Sequence, residues 1–310
     1  MINKDELLQW ISDNAVNEKI PSYDGIILNT YRYTAPGLNR AVVMVHGFCE
    51  FFGKYHELFC RFVKAGYAVY FVELRGHGHS GNTRSYADRR VTVGSFDEYV
   101  EDVHALMEKV VHRSDYKDIY LYCHSMGGAT GALYLEKYPD DFTCAVLSSP
   151  MMEINFGEVP DGVLDAAMVY SDVARNDDDF APGQHAFDGI PDFEHSSSTS
   201  IERYTYQFDL RMQDSAYQTW GSTWAWAKAA RTACRKLIKH AKDVKVPVLV
   251  FQAEQDSLVL PEGQDKFVRR AANAVLVRVD TKHEIYSSPD EVFETYFDNI
   301  LVFYKAHTTR

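Results

Sequence analysis

Basic excess is missing from this chain. Its 32 Lys and Arg are outnumbered by 44 Asp and Glu, giving a formal net charge of -12. No basic patch offsets that balance, which argues against a nucleic-acid partner and against electrostatic docking on an anionic membrane. Local apolar contacts would still allow a transient membrane-surface encounter. Long apolar runs are missing too: none approaches the ~18 residues of a bilayer span. The start, Met1-Ile2-Asn3-Lys4-Asp5-Glu6, lacks the apolar core of a secretory signal. Cysteine is sparse and unpatterned. Cys49, Cys60, Cys123, Cys144 and Cys234 are odd in number and form no CxxC pair, so they read as reduced core thiols of a soluble, cytoplasmic protein. There is no internal repeat and no low-complexity linker.

What is present is an alternation. Val42-Val43-Met44-Val45, Ala68 to Val72, Ile119 to Tyr122, Ala145-Val146-Leu147, Val246 to Phe251 and Val275 to Val279 are short, nearly continuous apolar runs. Strands covered on both faces of a parallel sheet look like this. Helical stretches separate them: Tyr55 to Ala65 before a Gly66 cap, Ser95 to about His112 with Glu98 as capping-box partner, Met126 to Tyr138 before Pro139, and Pro289 to Lys305. A shorter amphipathic helix (Glu6 to Asp13) and extended segments around Gly25–Leu28 and Thr30–Tyr33 precede them. The pattern predicts an α/β fold, a doubly wound and mostly parallel sheet. It breaks between about Met151 and Val244, where Trp220, Trp224 and Trp226 cluster. That stretch leaves the sheet and returns, so the expected division is a core of 1–150 and 244–310 with a helical cap, 151–243, over the strand C-terminal ends.

The run Cys123-His124-Ser125-Met126-Gly127-Gly128 puts a serine at the abrupt end of a β-rich segment and follows it with small residues and a helix. This is the layout of a nucleophile elbow. A serine needs a base, and the base an orienting carboxylate, in the chain order Ser, Asp or Glu, His. Asp256 follows the strand ending at Phe251, and His283 follows the strand ending at Val279. Glu254 is the nearest rival to Asp256, which lies further into its loop. Two backbone donors are needed for an oxyanion: Met126 N–H after the nucleophile, and Phe48 N–H in His46-Gly47-Phe48, where Gly47 is expected to let the chain turn tightly. His46 and His124 read as loop supports. His77 and His79 have no partner cluster of metal-ligand type, so no metal is expected.

The set His46-Gly47-Phe48, Arg75-Gly76-His77-Gly78-His79-Ser80, His124 to Gly128, Asp256 and Lys282-His283-Glu284-Ile285 resembles the α/β-hydrolases of the monoacylglycerol lipase and bacterial lysophospholipase (serine-aminopeptidase-like) family. The similarity runs from about Arg40 to the C-terminus. It implies a serine ester hydrolase that removes one acyl chain from a glycerol-based lipid, without cofactor, under a lipid-facing cap whose tryptophans either line the acyl site or form its own small core. The alternatives from the residues are a short-chain or broad-specificity carboxylesterase and a catalytically silent binding module. Two departures from the family pattern stand out. Cys123 occupies the first position of G-x-S-x-G, where it should crowd the elbow, and Glu73 replaces the usual Asp, where it should affect packing alone.

Overall fold

Alternate side chains of the continuous apolar runs go to opposite faces of one sheet, and both faces are covered by helices. The structure, a computed structural model, describes residues 3–157 and 159–309. In chain order its elements are α1 (Lys4–Asn14), β1 (Val16–Pro21), β2 (Ile27–Tyr33), β3 (Arg40–Val45), α2 (His56–Lys64), β4 (Ala68–Glu73), α3 (Phe96–Lys109), β5 (Asp118–His124), α4 (Met126–Lys137), β6 (Cys144–Ser148), α5 (Asp161–Ala174), α6 (Ile201–Gln213), α7 (Trp224–His240), β7 (Val248–Ala253), α8 (Pro261–Arg270), β8 (Ala274–Val279) and α9 (Asp290–Ala306). The strand order is β1-β2-β4-β3-β5-β6-β7-β8. Pairings from β4 to β8 are parallel, and only β1–β2 and β2–β4 are antiparallel.

Val43, Val45, Leu121 and Cys123 lie in one core with α3, α4 and α7, while Val42, Met44, Tyr120 and Tyr122 lie in the other with α2 and α9. A strand so placed has no solvent face, which is why its sequence shows no alternation. The two outermost strands are different. In β1 only Ile20 is buried, and its polar composition hid it from sequence reasoning. In β8 Val275 is 51% exposed, so this run is an edge rather than a fully covered strand.

The helix boundaries follow local chemistry. Ser95 and Glu98 form a reciprocal capping box at α3, and Gly66 ends α2 in the left-handed region at φ 89°. Between β6 and β7 lie α5, α6 and α7, and they differ in what they cover. Ala230, Ala233, Cys234 and Leu237 of α7 join the main core beside α3 and α4. By contrast, α5 buries only Met168 and Ser171. It is tied to α7 by ion pairs from Lys228 and Arg231 to Asp172, Asp161 and Asp165. Helix α6 docks on α2: the Arg203 guanidinium grips Glu57 at 2.9 and 3.0 Å, and Tyr206 hydroxyl meets His56 Nδ1 at 2.7 Å. Among the described residues no helix is long and apolar enough to cross a membrane, and all five cysteines are buried and free.

Candidate active site

Strand β5 stops at His124, and Ser125 takes φ 52°, ψ −116° before α4 begins. A non-glycine residue at positive φ is strained, and the surroundings impose it. Ser125 N–H donates to Ser148 O (3.0 Å), and Met151 N–H donates to Ser125 O (2.9 Å). The following residues must be glycine for lack of room. A β-carbon on Gly127 would stand 2.5 Å from the carbonyl oxygens of Val45 and His46, and one on Gly128 would stand 2.5 Å from Pro150. The Cys123 sulfur does not enter this turn. It points into the core beneath α4, against Gly131.

The loops after β7 and β8 reach the same edge. His283 Nε2 lies 2.8 Å from Ser125 Oγ, and His283 Nδ1 lies 2.5 Å from Asp256 Oδ2. Asp256 Oδ1 accepts N–H groups from Leu258 (2.8 Å) and Val259 (3.1 Å). Burial pushes the Asp256 carboxyl up, but the imidazole and these backbone donors outweigh it and hold it below the usual range. An ionised Asp256 requires the proton on Nδ1, which leaves the Nε2 lone pair facing the serine hydroxyl. Glu254, the rival carboxylate, is exposed. The histidine loop is stitched down by the polar run 196–200, whose role the sequence left unread. Glu284 N–H donates to Ser197 O (3.0 Å), Ser198 Oγ bonds Ser287 Oγ (2.7 Å), and Thr199 Oγ1 bonds Thr281 Oγ1 (2.9 Å).

The loop after β3 abuts the elbow. Among the described residues the N–H groups of Phe48 and Met126 donate to no protein acceptor. Gly47 is not at positive φ, so the expected reason for it needs correction: it is required by space. A β-carbon there would stand 2.7 Å from Glu50 Oε2 and 3.1 Å from the His124 ring. His46 accepts Leu74 N–H at Nε2 (3.0 Å) and meets Gly47 O at Nδ1 (2.7 Å). Burial lowers it to about 4, and lowers His77 and His124 to about 3, so all three are neutral. Among the described residues no cluster of His, Cys, Asp or Glu is placed to hold a metal ion. His79 pairs instead with Asp214 at 2.8 Å. Glu73 is buried, accepting from Phe52 N–H (3.1 Å) and His79 N–H (2.8 Å).

The three tryptophans separate. Trp226 is buried with its ring 4.4 Å from that of Phe48. Trp220 is 38% exposed and lies beside Phe187 and Arg211. Trp224 is half-buried at the start of α7. Sequence reasoning also passed over the buried Glu50 and the part-buried Lys54 and Glu284, three charges linked to one another. The available signal was a lone carboxylate inside the aromatic stretch Phe48-Cys49-Glu50-Phe51-Phe52.

Comparison with known proteins gives the family. The family model described as serine aminopeptidase, S33, matches residues 37–288. The chain is 27% identical over 296 residues to lysophospholipase L2 of Escherichia coli (strain K12), covering 92% of this chain and 86% of that protein. It is 27% identical over 253 residues to the monoacylglycerol lipase of Mycolicibacterium smegmatis, covering 81% and 83%. In fold it is similar to a soluble variant of monoglyceride lipase from Saccharomyces cerevisiae (TM-score 0.75, 18% identity, 96% and 97% covered). With the match spanning most of the sheet and every loop described above, the chain belongs to the serine aminopeptidase family of α/β-hydrolases.

Proposed function

We propose that the protein is a serine ester hydrolase acting on a monoacyl lipid, a lysophospholipid or monoacylglycerol, through an acyl-enzyme on Ser125. The observation that carries this reading is the continuous chain from Asp256 through His283 to Ser125 Oγ, with the serine held at positive φ. His283 Nε2 takes the serine proton as Oγ attacks the ester carbonyl. The tetrahedral oxyanion is held by the N–H groups of Phe48 and Met126, one such donor being worth about 3 kcal/mol of transition-state stabilisation. His283 then protonates the leaving alcohol, and Asp256 stabilises the imidazolium and fixes its tautomer. Water attacks the acyl carbonyl as it gives a proton to Nε2, and the imidazolium returns that proton to Ser125 Oγ as the acyl–oxygen bond breaks and the fatty acid leaves. No cofactor takes part.

The cap comprises the chain between β6 and β7; α5 and α6 form its outer part, and α7 is its anchor in the core. Trp226, packed on Phe48, borders the acyl site, whereas Trp220 and Trp224 belong to the cap's own framework. The exposed Val163, Val169, Tyr170 and Val173 of α5 give the cap an apolar face for transient contact with a lipid surface. Five buried free thiols suit a reducing compartment, the cytoplasm. The relatives named above support the monoacyl class.

A fluorophosphonate probe tests the chemistry: the native protein should be labelled and Ser125→Ala should not. A series of p-nitrophenyl esters, with lysophosphatidylcholine and monoacylglycerol alongside, tests the substrate. Turnover should rise toward C8–C16 acyl groups. A preference for acetate would replace the lipid assignment by a short-chain carboxylesterase, and absence of labelling would leave only a binding module.

A further inference from the structure

We propose that Glu50 is a positioning residue for ester hydrolysis: one buried carboxylate, packed behind the nucleophile strand, that holds the loops of the oxyanion donor and the catalytic histidine in register. The proposal rests on the triad reading above and adds a residue that does not touch substrate.

Both oxygens of Glu50 are spoken for by separate loops. Oε2 accepts the N–H of Gly47 at 2.5 Å and the hydroxyl of Tyr55. Gly47 directly precedes Phe48, so this bond fixes the peptide that leads into the oxyanion donor. Oε1 accepts the hydroxyl of Tyr286 at 2.6 Å, three residues beyond His283. It also lies 2.9 Å from Lys54 Nζ, and that ammonium continues to Glu284 at 2.6 Å, the residue next to His283. The end of the nucleophile strand packs against the same carboxylate without a hydrogen bond to it. His124 Nε2 stands 3.8 Å from Glu50 Oε1, and its ring is 4.9 Å from the His283 ring. Ser125 is the next residue.

Pairing to this degree keeps the group charged. Burial pushes the Glu50 carboxyl up, but the Lys54 ammonium and the hydroxyls of Tyr286 and Tyr55 favour the charged form, and the group lies well below the usual carboxylate range. Burial lowers the Lys54 ammonium, and Glu284 and Glu50 more than restore it. A single buried ion pair is poor evidence of a role, because apolar residues of similar volume often replace one without loss. No apolar side chain could accept from Gly47, Tyr55, Tyr286 and Lys54 together. The site has also been cleared for the carboxylate, since a β-carbon at residue 47 would meet it at 2.7 Å. Reaction rates are sensitive to such register, a displacement of about 1 Å at a reacting group costing on the order of 100-fold.

The test uses the full chain, with Glu50→Gln, Tyr286→Phe and, as a control for loss of a buried ion pair outside the site, Glu57→Gln. Each is assayed for kcat and KM on a p-nitrophenyl ester, for the rate of fluorophosphonate inactivation, and for Tm. Glu50→Gln should lower kcat and the inactivation rate together, by about 10- to 100-fold, with KM within about twofold of native. Tyr286→Phe should lower both severalfold with Tm near native. Glu57→Gln should lower Tm and leave kcat in place. The proposal is overturned if Glu50→Gln matches native kcat, or if its loss follows the unfolded fraction as in Glu57→Gln. Should Glu50→Gln fail to fold, native kcat in Tyr286→Phe overturns it. A native protein that the probe does not label overturns the triad reading and this inference together; a labelled native with an equally reactive Glu50→Gln overturns this inference alone.

Discussion

The Cys123 sulfur occupies the space that a β-carbon on residue 131 would need, 2.5 Å from where that carbon would stand. The two positions are coupled: a larger residue at the elbow strand is matched by the smallest residue on the helix packed above it. Gly131→Ala should therefore destabilise the fold by about 1–2 kcal/mol, overpacking exceeding the gain of up to about 1 kcal/mol that alanine brings to a helix interior. In a Cys123→Ala background the same change should be neutral or stabilising. A double-mutant cycle by denaturant unfolding measures this, and additive effects would mean that the two sites do not share the space.

This pair also shows what the sequence could and could not reveal. The strands from β3 to β7 were readable because burial on both faces leaves an uninterrupted apolar signature, and Ser125 and Asp256 stood out because each follows such a strand; His283 stood out because it follows β8, whose run is apolar although the strand is an edge. Cys123 looked like an obstacle at the turn because sequence spacing says nothing about which way the sulfur points. Gly47 looked like a turn residue, yet its neighbour across space, Glu50, is what excludes a β-carbon. Of the partners of Glu50, Gly47, Lys54 and Tyr55 are near it in sequence, but Tyr286 is 236 positions away, and no pattern in the sequence links it to Glu50. Strand β1 escaped because an edge strand needs only one buried side chain, Ile20, to hold its place.

Asp256→Asn should reduce kcat by about four orders of magnitude while leaving the fold intact. The amide can offer Nδ1 an N–H where the carboxylate accepted one, and the histidine then turns its proton toward Ser125, losing the base. Steady-state turnover of a soluble ester, normalised by folded protein from Tm and circular dichroism, gives the number. A variant retaining a tenth of native kcat would remove Asp256 from the triad in favour of another carboxylate.

Acid should destabilise the protein well above the carboxylate range. Burial lowers His46 to about 4 and His56, His77 and His124 to about 3, against 6.5 unfolded. Between these values the unfolded chain binds protons that the native state refuses. The stability is therefore full above about pH 6.5 and is lost as pH falls toward 3–4. Each histidine contributes about 2 kcal/mol of this loss by pH 5. Scanning calorimetry from pH 8 to 5 should show Tm falling steadily, with less fall in His56→Gln. A flat profile would show that these imidazoles become charged in place.

Glu136 acts at the opposite end. Burial raises its carboxyl to about 8, Lys236 offsetting part of the shift, and Oε1 has no hydrogen-bond partner. A raised folded value means that the favourable neutral form contributes fully below about 4.5 and is lost as pH rises through about 8. Glu136→Gln is neutral throughout, so its Tm should exceed native by a few degrees at pH 8–9 and converge with it as pH falls below about 4.5. Equal Tm values at both pH extremes would place the native carboxylate in water.

The lipid-facing role proposed for α5 can be tested apart from the chemistry. Val163, Val169, Tyr170 and Val173 are 56%, 62%, 68% and 77% exposed, so changing them to serine or glutamine removes little native packing. Burying such a face at a headgroup boundary is worth on the order of 1 kcal/mol per side chain, and losing three of them should weaken vesicle binding by about tenfold or more. The net charge of -12 means that this contact has to be apolar, so it should be insensitive to salt and reduced, not strengthened, by anionic lipid. With Val163→Ser, Tyr170→Ser and Val173→Ser combined, turnover of soluble p-nitrophenyl butyrate should stay native, while hydrolysis of monoacylglycerol in zwitterionic vesicles should fall through its apparent KM. Equal loss on both substrates would make α5 part of the cap's folding rather than its lipid-facing surface; no loss on either would leave the vesicle to be met by another face.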